Sequence, residues 1–288
     1  MNDSHVIVLP DGRDLGWLEF GDPHGAPVFA FHGTPGSRHQ IVMDDESLRN
    51  AGLRFVCVDR PGYGLSSFRR GHRLVDWPKD VAHLATRVGI EKFAVLGHSG
   101  GGPFAVACAA LLGDRVSAAA IVSGVGPLNG PHAFDSMKKS EQIQMKLSRR
   151  RSRIMRAACV SQMEAFRHWP SWSLNMMTKQ FALADRGILA RANVRATMEL
   201  EATRLSRTTG RAVAQDLEIF TADWGFDLGA ITVPVQIWQG DEDLSVAPAH
   251  AHAMHEAIPG SVLHEMPGAG HFFIFERLDE IGLALSQC

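Results

Sequence analysis

The sequence has few cysteines and no cysteine motif. Its 288 residues include four, Cys57, Cys108, Cys159 and Cys288, and none forms a C-x-x-C pair. Disulfide frameworks and cysteine-ligated zinc sites depend on cysteines at closer, regular spacings. We therefore expect reduced thiols in a cytoplasmic protein, with Cys57 in an apolar strand and Cys108 in an apolar helix.

An excess of charge and a long apolar run are missing too. The formal net charge is −2, whereas nucleic-acid-binding domains usually carry a basic excess. No apolar run is long enough to cross a bilayer. The first residues, MNDSHVIVLPDGRD, contain acids and lack the apolar core of a signal peptide. We expect a small-molecule substrate, with no nucleic-acid partner and no membrane span, and the oligomeric state stays open.

What the sequence does contain is an alternation of strand-like and helix-like segments. HVIVL and LGWLEF flank the turn PDGRD and predict a hairpin. Four short apolar runs follow: PVFAFHG, RFVCVD, KFAVLGHS and VSAAAIVSG. Strands that are apolar throughout are buried on both faces, as in a parallel sheet. The pattern predicts an α/β fold with a mostly parallel central sheet and helices on both faces.

A helical insertion interrupts this alternation. From about residue 127 to 223 no strand-like run appears, and the residues follow helical periodicity. Strand signals return at VPVQIWQG and SVLHEM, and FERLDEIGLALSQ predicts a closing helix. We therefore divide the chain into a core domain of residues 1–126 and 224–288 and a helical cap domain of residues 127–223.

The stretch LGHSGGG places Ser99 between a predicted buried strand and a predicted helix. This is the setting of a nucleophilic serine on a sharp strand-to-helix turn. Such a turn strains the serine backbone and requires small neighbours, which Gly97 and Gly101 supply. The N–H groups at the start of the helix point at developing negative charge. The sequence therefore predicts Ser99 as a nucleophile.

A nucleophilic serine needs a histidine base and an acid that orients it. His271 follows the last predicted strand, at the edge of the sheet where Ser99 lies. The acid should follow the preceding strand, where GDEDLSVAP offers Asp241, Glu242 and Asp243. We favour Asp243 and keep Asp241 as the alternative. Three histidines on one predicted helix point to different faces, so we expect no metal site there.

An oxyanion hole is the remaining requirement of acyl transfer. One donor is the backbone N–H of Gly100, directly after the serine. The second should come from the loop His32-Gly33-Thr34-Pro35-Gly36, which follows a predicted strand. Because Pro35 has no N–H, we expect Thr34 to be that donor.

Together these motifs resemble the α/β-hydrolase superfamily, in particular its capped serine-hydrolase branch. The resemblance spans FHGTPGS, DRPGYGLSS, GHSGGG, GDEDLSVAP and PGAGH. It implies the α/β-hydrolase fold with a helical cap insertion and no cofactor or metal. It also implies Ser99, His271 and Asp243 as the triad, with Thr34 and Gly100 as the oxyanion hole. A serine at the turn, instead of aspartate, argues against haloalkane dehalogenase and epoxide hydrolase chemistry.

The predicted cap carries a dense apolar set between Phe166 and Phe181, which we expect either in the cap core or in a pocket roof. The residues predicted to line a substrate pocket are His32, His98, Trp169, Trp172, Met176, Met177 and Phe272. We expect hydrolysis of a small, largely apolar ester. The alternatives are another reaction on the same triad (iminopeptidase, carbon–carbon hydrolase, perhydrolase or haloperoxidase, lyase) and a ligand-binding protein without catalysis.

Overall fold

One eight-stranded sheet organises the chain in the computed structural model, which describes residues 4–42, 44–130, 134–135, 137, 139–205 and 210–288. The strands are β1 His5–Val8, β2 Asp14–Gly21, β3 Ala26–Phe31, β4 Leu53–Val58, β5 Phe93–His98, β6 Val116–Val122, β7 Val235–Gly240 and β8 Val262–Met266. The helices are α1 Asp45–Asn50, α2 Trp77–Arg87, α3 Gly102–Leu111, α4 Lys139–Arg149, α5 Arg153–His168, α6 Pro170–Thr178, α7 Leu183–Leu189, α8 Ala192–Leu205, α9 Gly210–Phe220, α10 Ala249–Ala257 and α11 Ile274–Ser286.

The sheet is mostly parallel, as the apolar runs predicted. Its strand order is β1-β2-β4-β3-β5-β6-β7-β8. The pairs β1–β2 and β2–β4 are antiparallel, and the pairs from β4 through β3 to β8 are parallel. The predicted hairpin is confirmed, with His5 opposite Trp17.

Alternate residues of the central strands pack on opposite faces of the sheet. Phe29 and Phe31 join one apolar cluster with residues of α2, α3 and α10. Val28 and Ala30, from the same strand, join a second cluster with residues of α1 and α11. Successive side chains of a strand point to opposite faces, so a strand covered on both sides must be apolar at every position.

The described helices α4 to α9 lie in the chain between β6 and β7, and we refer to them as the insertion helices. Their apolar residues, Phe166 and Met198 among them, belong to the same cluster as the α2–α3 face of the sheet. Every helix of the described residues is too short or too polar to form a transmembrane span.

The parallel strands bring four loops to one edge of the sheet. Strands β3, β5, β7 and β8 end at Phe31, His98, Gly240 and Met266, and their registers align these ends. In parallel sheets the carboxyl ends of strands lie on the same side, which is where ligands bind in open α/β sheets. The loops that follow carry Thr34, Ser99, Asp243 and His271.

Trp77 is the largest fully buried side chain of the described residues, and it packs edge-on against Phe31 and Phe104. We expect Trp77→Ala to lower the free energy of unfolding by about 3–5 kcal/mol, because the cavity cannot collapse fully. Trp169 is 62% exposed and gives the matched control. Its replacement by alanine should change the free energy of unfolding by less than about 0.5 kcal/mol in urea titrations. Equal losses for both variants would contradict the described core.

Candidate active site

The turn after β5 holds Ser99 in a strained backbone conformation. Its φ of 55° lies in the left-handed region, which a non-glycine residue rarely adopts. The chain leaves β5 at His98, forms one short turn from Ser99 to Gly101, and enters α3 at Gly102. Backbone strain that persists in a well-packed region is typical of functional sites.

The glycines on either side of Ser99 are required by backbone contact. A Cβ on Gly97 would overlap the carbonyl oxygen of Gly101, and a Cβ on Gly101 would overlap the carbonyl oxygen of Phe31. The predicted need for small residues at these two positions is therefore confirmed. The close approach also fixes the turn against the end of β3.

The loop after β3 lies directly beside Ser99. A Cβ built on Gly33 would be 3.5 Å from Ser99 Oγ, so the Gly33 backbone touches the serine side chain. A Cβ on Gly100 would overlap Thr34 Oγ1. The N–H of Gly33 donates to Gln40 Oε1 at 2.6 Å, whereas the hydrogen bonds of the described residues include none from the N–H of Thr34. The two expected oxyanion donors, Thr34 and Gly100, are thus neighbours at the serine.

His271 and Asp243 form a buried hydrogen-bonded pair. His271 Nδ1 lies 2.8 Å from Asp243 Oδ2, and the side chains are 5% and 0% exposed. With Nδ1–H donating to the carboxylate, Nε2 is left as the acceptor that a base needs. Asp243 Oδ1 also accepts the N–H groups of Ser245 and Val246 at 2.8 and 2.9 Å, which fixes the carboxylate.

The alternative acid has a different contact. Asp241 is exposed, and its Oδ1 accepts the N–H of Gly268 at 2.7 Å. It therefore supports the loop between β8 and α11 and does not meet the histidine. Of the two acids that the sequence left open, the structure brings Asp243 to His271.

The environment shifts the pKa values of the pair in opposite directions. Burial lowers the pKa of His271, but the charge and hydrogen bond of Asp243, together with the charge of Asp185, raise it above its ordinary 6.5. Burial raises the pKa of Asp243, but the charge and hydrogen bond of His271 and two backbone N–H groups hold it below its ordinary value. Each partner thus favours the charged form of the other.

His98 joins the serine turn to the histidine loop. Its Nε2–H donates to the carbonyl oxygen of His271 at 3.2 Å, and the two rings lie 4.9 Å apart. Since His98 directly precedes Ser99, this bond ties the loop of His271 to the serine turn. The hydrogen bonds of the described residues do not include one between Ser99 and His271. In ligand-free enzymes such bonds are often long and tighten only with substrate.

Two histidines predicted to line a pocket are buried in the structure. His32 is 1% exposed, its Nδ1–H donates to the carbonyl oxygen of Gly33, and its Nε2 accepts the N–H of Arg60. His98 is fully buried, and burial lowers its pKa to about 3. Both rings are bonded to backbone partners, and their assignment to a substrate pocket stays a prediction. Both histidines hold the backbone of the loops that carry the site.

The other predicted pocket residues divide between buried and exposed positions. Phe272 is buried and packs edge-on against Phe181, with the ring centroids 4.8 Å apart. Met177 is half-buried against the core cluster. The remaining three are at the surface, with exposures of 62%, 59% and 43% for Trp169, Trp172 and Met176. The assignment of these residues to the substrate pocket stays a prediction.

Sequence reasoning missed a buried polar cluster between the insertion helices and the Thr34 loop. Asp216 on α9 accepts three hydrogen bonds at Oδ2: from Thr34 Oγ1 at 2.7 Å, from Arg60 Nη1 at 2.6 Å and from Tyr63 Oη at 2.6 Å. Arg60 also donates to the carbonyl oxygen of Gly33 and to Thr34 Oγ1. The motif DRPGYGLSS contained two of these residues, but nothing in α9 marked the carboxylate.

A second missed contact involves α7. Asp185, which is fully buried, accepts the N–H of Phe272 at 2.7 Å. Phe220, the last residue of α9, also lies at the site, since a Cβ on Gly100 would be 3.0 Å from its ring. The insertion helices therefore touch both sides of the candidate site.

Asp216→Ala should destabilise the fold strongly, because it leaves the Arg60 guanidinium, whose side chain is fully buried, without its counter-ion. Removing one partner of a buried ion pair costs about 3–5 kcal/mol in the free energy of unfolding. Glu218, two residues on in α9, pairs with the half-exposed Arg156. Glu218→Ala should cost less than about 1 kcal/mol. Urea titration of both variants measures the difference, and similar losses would contradict the role of Asp216.

Comparison with known proteins places this geometry in a family. A family model described as the alpha/beta hydrolase fold matches residues 26–278. The chain is 34% identical over 125 residues to a bifunctional esterase/perhydrolase from Acinetobacter calcoaceticus, covering 42% of this chain and 45% of that protein. It is 25% identical over 249 residues to a putative carbamate hydrolase from Cronobacter turicensis, covering 86% and 85%.

Some curated relatives match only in part. The chain spans less than half the length of the esterase/perhydrolase. It is 30% identical over 112 residues to a probable proline iminopeptidase from Streptomyces coelicolor, and it covers 33% of that protein. Among solved structures, a bromoperoxidase from Bacillus anthracis aligns over 100% of both chains with a TM-score of 0.72 at 21% identity. An esterase from Exiguobacterium antarcticum covers 98% of this chain and 97% of its own, with a TM-score of 0.69 at 19% identity. These two likenesses show the fold. Because the family model matches nearly the whole chain, the protein belongs to the alpha/beta hydrolase fold family.

Proposed function

We propose that this protein is a serine hydrolase that cleaves small, largely apolar esters, with Ser99 as nucleophile, His271 as base and Asp243 as the orienting acid. One observation carries the proposal: the buried 2.8 Å pair of His271 and Asp243 is joined through His98 to the turn of a serine with φ of 55°. Backbone strain and buried charged groups both cost stability, and they are typically found at functional sites.

The reaction follows from the direction of the hydrogen bonds. Ser99 Oγ attacks the ester carbonyl carbon, and His271 Nε2 takes the hydroxyl proton. The carbonyl oxygen becomes an oxyanion that accepts the N–H groups of Thr34 and Gly100, each worth about 3 kcal/mol in the transition state. His271 gives the proton to the departing alcohol. Water then repeats the sequence on the acyl-serine and releases the acid.

Asp243 holds the imidazole and stabilises its charge while the proton resides on Nε2. Its own pKa is held below the ordinary value, so it stays ionised during turnover and takes no proton from Nδ1. His98 is neutral at physiological pH, because burial lowers its pKa to about 3. It therefore adds no competing positive charge beside His271.

The insertion helices serve as a cap in this proposal, and they support a small apolar substrate. Phe220 lies against Gly100, and Phe181 packs on Phe272 next to the base. Aromatic side chains next to Gly100 and next to the base favour a compact acyl group and exclude water. The sequence-based expectations of a 127–223 cap domain and a cytoplasmic location stay predictions.

The relative named bifunctional esterase/perhydrolase favours a second reaction on the same centre. There, hydrogen peroxide would replace water in the second half and release a peracid. The acyl-serine and the residues that form it are the same in both reactions. Assaying acyl transfer to peroxide beside hydrolysis separates them, and amide and β-diketone substrates test the peptidase and carbon–carbon alternatives.

Ser99→Ala should abolish both ester hydrolysis and labelling by a fluorophosphonate, because no nucleophile remains. Its melting temperature should be unchanged or higher, because the substitution removes only a hydroxyl group that serves the reaction and not the fold.

Asp243→Asn should lower kcat by about 10⁴-fold, because the amide favours the wrong tautomer of the imidazole. Asp241→Asn, the matched control in the same loop, should lower kcat only slightly. Turnover by Ser99→Ala at the wild-type rate would refute the mechanism, and a reversed order of the two aspartates would reassign the acid.

Wild-type enzyme should hydrolyse aryl acetates and butyrates in preference to long-chain esters, because Phe220 limits the space beside Gly100. Phe220→Ala should shift the kcat/KM ratio toward longer acyl chains. Trp172→Ala, at an exposed position of the insertion helices, should leave the ratio unchanged. The ratio of two substrates is independent of the folded fraction, so lost stability does not obscure it. A wild-type profile that peaks at long chains would overturn the substrate class.

A further inference from the structure

Asp185 has a buried carboxylate that the proposed mechanism does not use. It lies on α7 with its side chain fully buried, and its Oδ1 accepts the N–H of Phe272 at 2.7 Å. A Cβ on Gly270 would overlap all three atoms of this carboxylate, which therefore lies flat on the backbone there. Asp185 thus holds the residues directly before and after His271.

The second oxygen of Asp185 argues against a purely structural role. Oδ2 is buried and has no hydrogen-bond partner within the described residues. A carboxylate with a buried oxygen left without a donor is costly. An asparagine would accept the same N–H of Phe272 without the cost of burying a charge. What the carboxylate has and the amide lacks is negative charge close to His271.

The groups that face His271 come from three elements packed around it. Asp243 bonds its ring from the loop after β7, and His98 lies beside it at the end of β5. Asp185, on α7, bonds the N–H of the next residue, Phe272. The charge of Asp185 raises the pKa of His271, in the same direction as Asp243. His98 is neutral, since burial lowers its pKa to about 3. Two negative groups therefore act on one imidazole.

We propose that Asp185 is a positioning residue that holds the His271 loop from the insertion helices and, as a second carboxylate, stabilises the imidazolium formed when Ser99 attacks. This inference rests on the proposed function. In this proposal the position and the pKa of the His271 imidazole depend on the position of α7. A second contact, the ion pair of Arg191 with Glu276 of α11, lies just after the end of α7.

The test is the pH profile of Asp185→Asn, which keeps the acceptor for Phe272 and removes the charge. In the wild type, kcat/KM should fall as pH drops through the raised pKa of His271, so the half-maximal point lies above pH 6.5. In Asp185→Asn that point should move to lower pH, and kcat should fall with KM nearly unchanged. The melting temperature should stay close to that of the wild type.

Glu199→Gln is the matched control. Glu199 lies on α8, is 46% exposed and pairs with Arg195, so its neutralisation removes one carboxylate from the insertion helices without touching the His271 loop. Its pH profile should equal that of the wild type. A shift of the same size in Glu199→Gln would mean that general charge, and not Asp185, sets the profile.

Gly270→Ala gives an independent route should Asp185→Asn fold poorly. Its Cβ would displace the Asp185 carboxylate from the loop, so the half-maximal pH should fall with Asp185 still present. Fluorophosphonate labelling rates at pH 6 and pH 8, taken as a ratio, report this without depending on the folded fraction. An unchanged half-maximal pH in both variants would overturn the inference.

The proposed function and this inference fail in different ways. If wild-type protein is not labelled by the fluorophosphonate, or Ser99→Ala is labelled equally, the triad itself is wrong. If the wild type is labelled at Ser99 and Asp185→Asn keeps the wild-type pH profile and kcat, the triad stands. Asp185 is then a structural residue only.

Discussion

The close approach of the turn after β5 to the end of β3 is the contact on which the site depends. Gly101 lies so near the carbonyl oxygen of Phe31 that no side chain fits, and Gly97 is equally close to Gly101. This contact holds the positive φ of Ser99. It also sets the Gly33 backbone beside the serine side chain. The parallel sheet makes the contact possible, because it aligns the ends of the two adjacent strands.

Buried charge then links the sheet to the insertion helices. Asp216 reaches from α9 to Arg60, Tyr63 and Thr34, and Asp185 reaches from α7 to the backbone beside His271. Buried ion pairs contribute little net stability, because desolvation offsets their attraction, but losing one partner is costly. The insertion helices can therefore move from the core only by exposing or unpairing these groups, which favours one fixed arrangement around the site.

Two neighbouring histidines of this chain differ in pKa because their surroundings differ. His98 and His271 have rings 4.9 Å apart and are both buried. Burial lowers the pKa of His98 to about 3, whereas carboxylates raise the pKa of His271 above 6.5. Burial lowers the pKa of both rings, and a carboxylate bonded to the ring of His271 reverses the shift there.

The sequence by itself determined the sheet and the local turns. Apolar runs predicted parallel strands, and the positions of Ser99, His271 and Thr34 followed from the strand that each one trails. Glycine spacing predicted the turn at Ser99, because steric limits on the backbone act between residues close in sequence. For the acid, the sequence favoured Asp243 and kept Asp241 as the alternative. Both lie in one loop, and the direction of their side chains depends on packing.

Only the tertiary structure decided which distant side chains meet. The bond between Thr34 and Asp216 joins residues 182 positions apart, and that between Asp185 and Phe272 joins residues 87 apart. Helical periodicity gives a helix an apolar face but does not say what that face, or a carboxylate beside it, will contact. For the same reason Trp169 and Trp172, predicted in a pocket, are exposed, while Phe220 lies at the serine. Local patterns fix backbone geometry, and the packing of α4 to α9 on the sheet fixes the surroundings of the site.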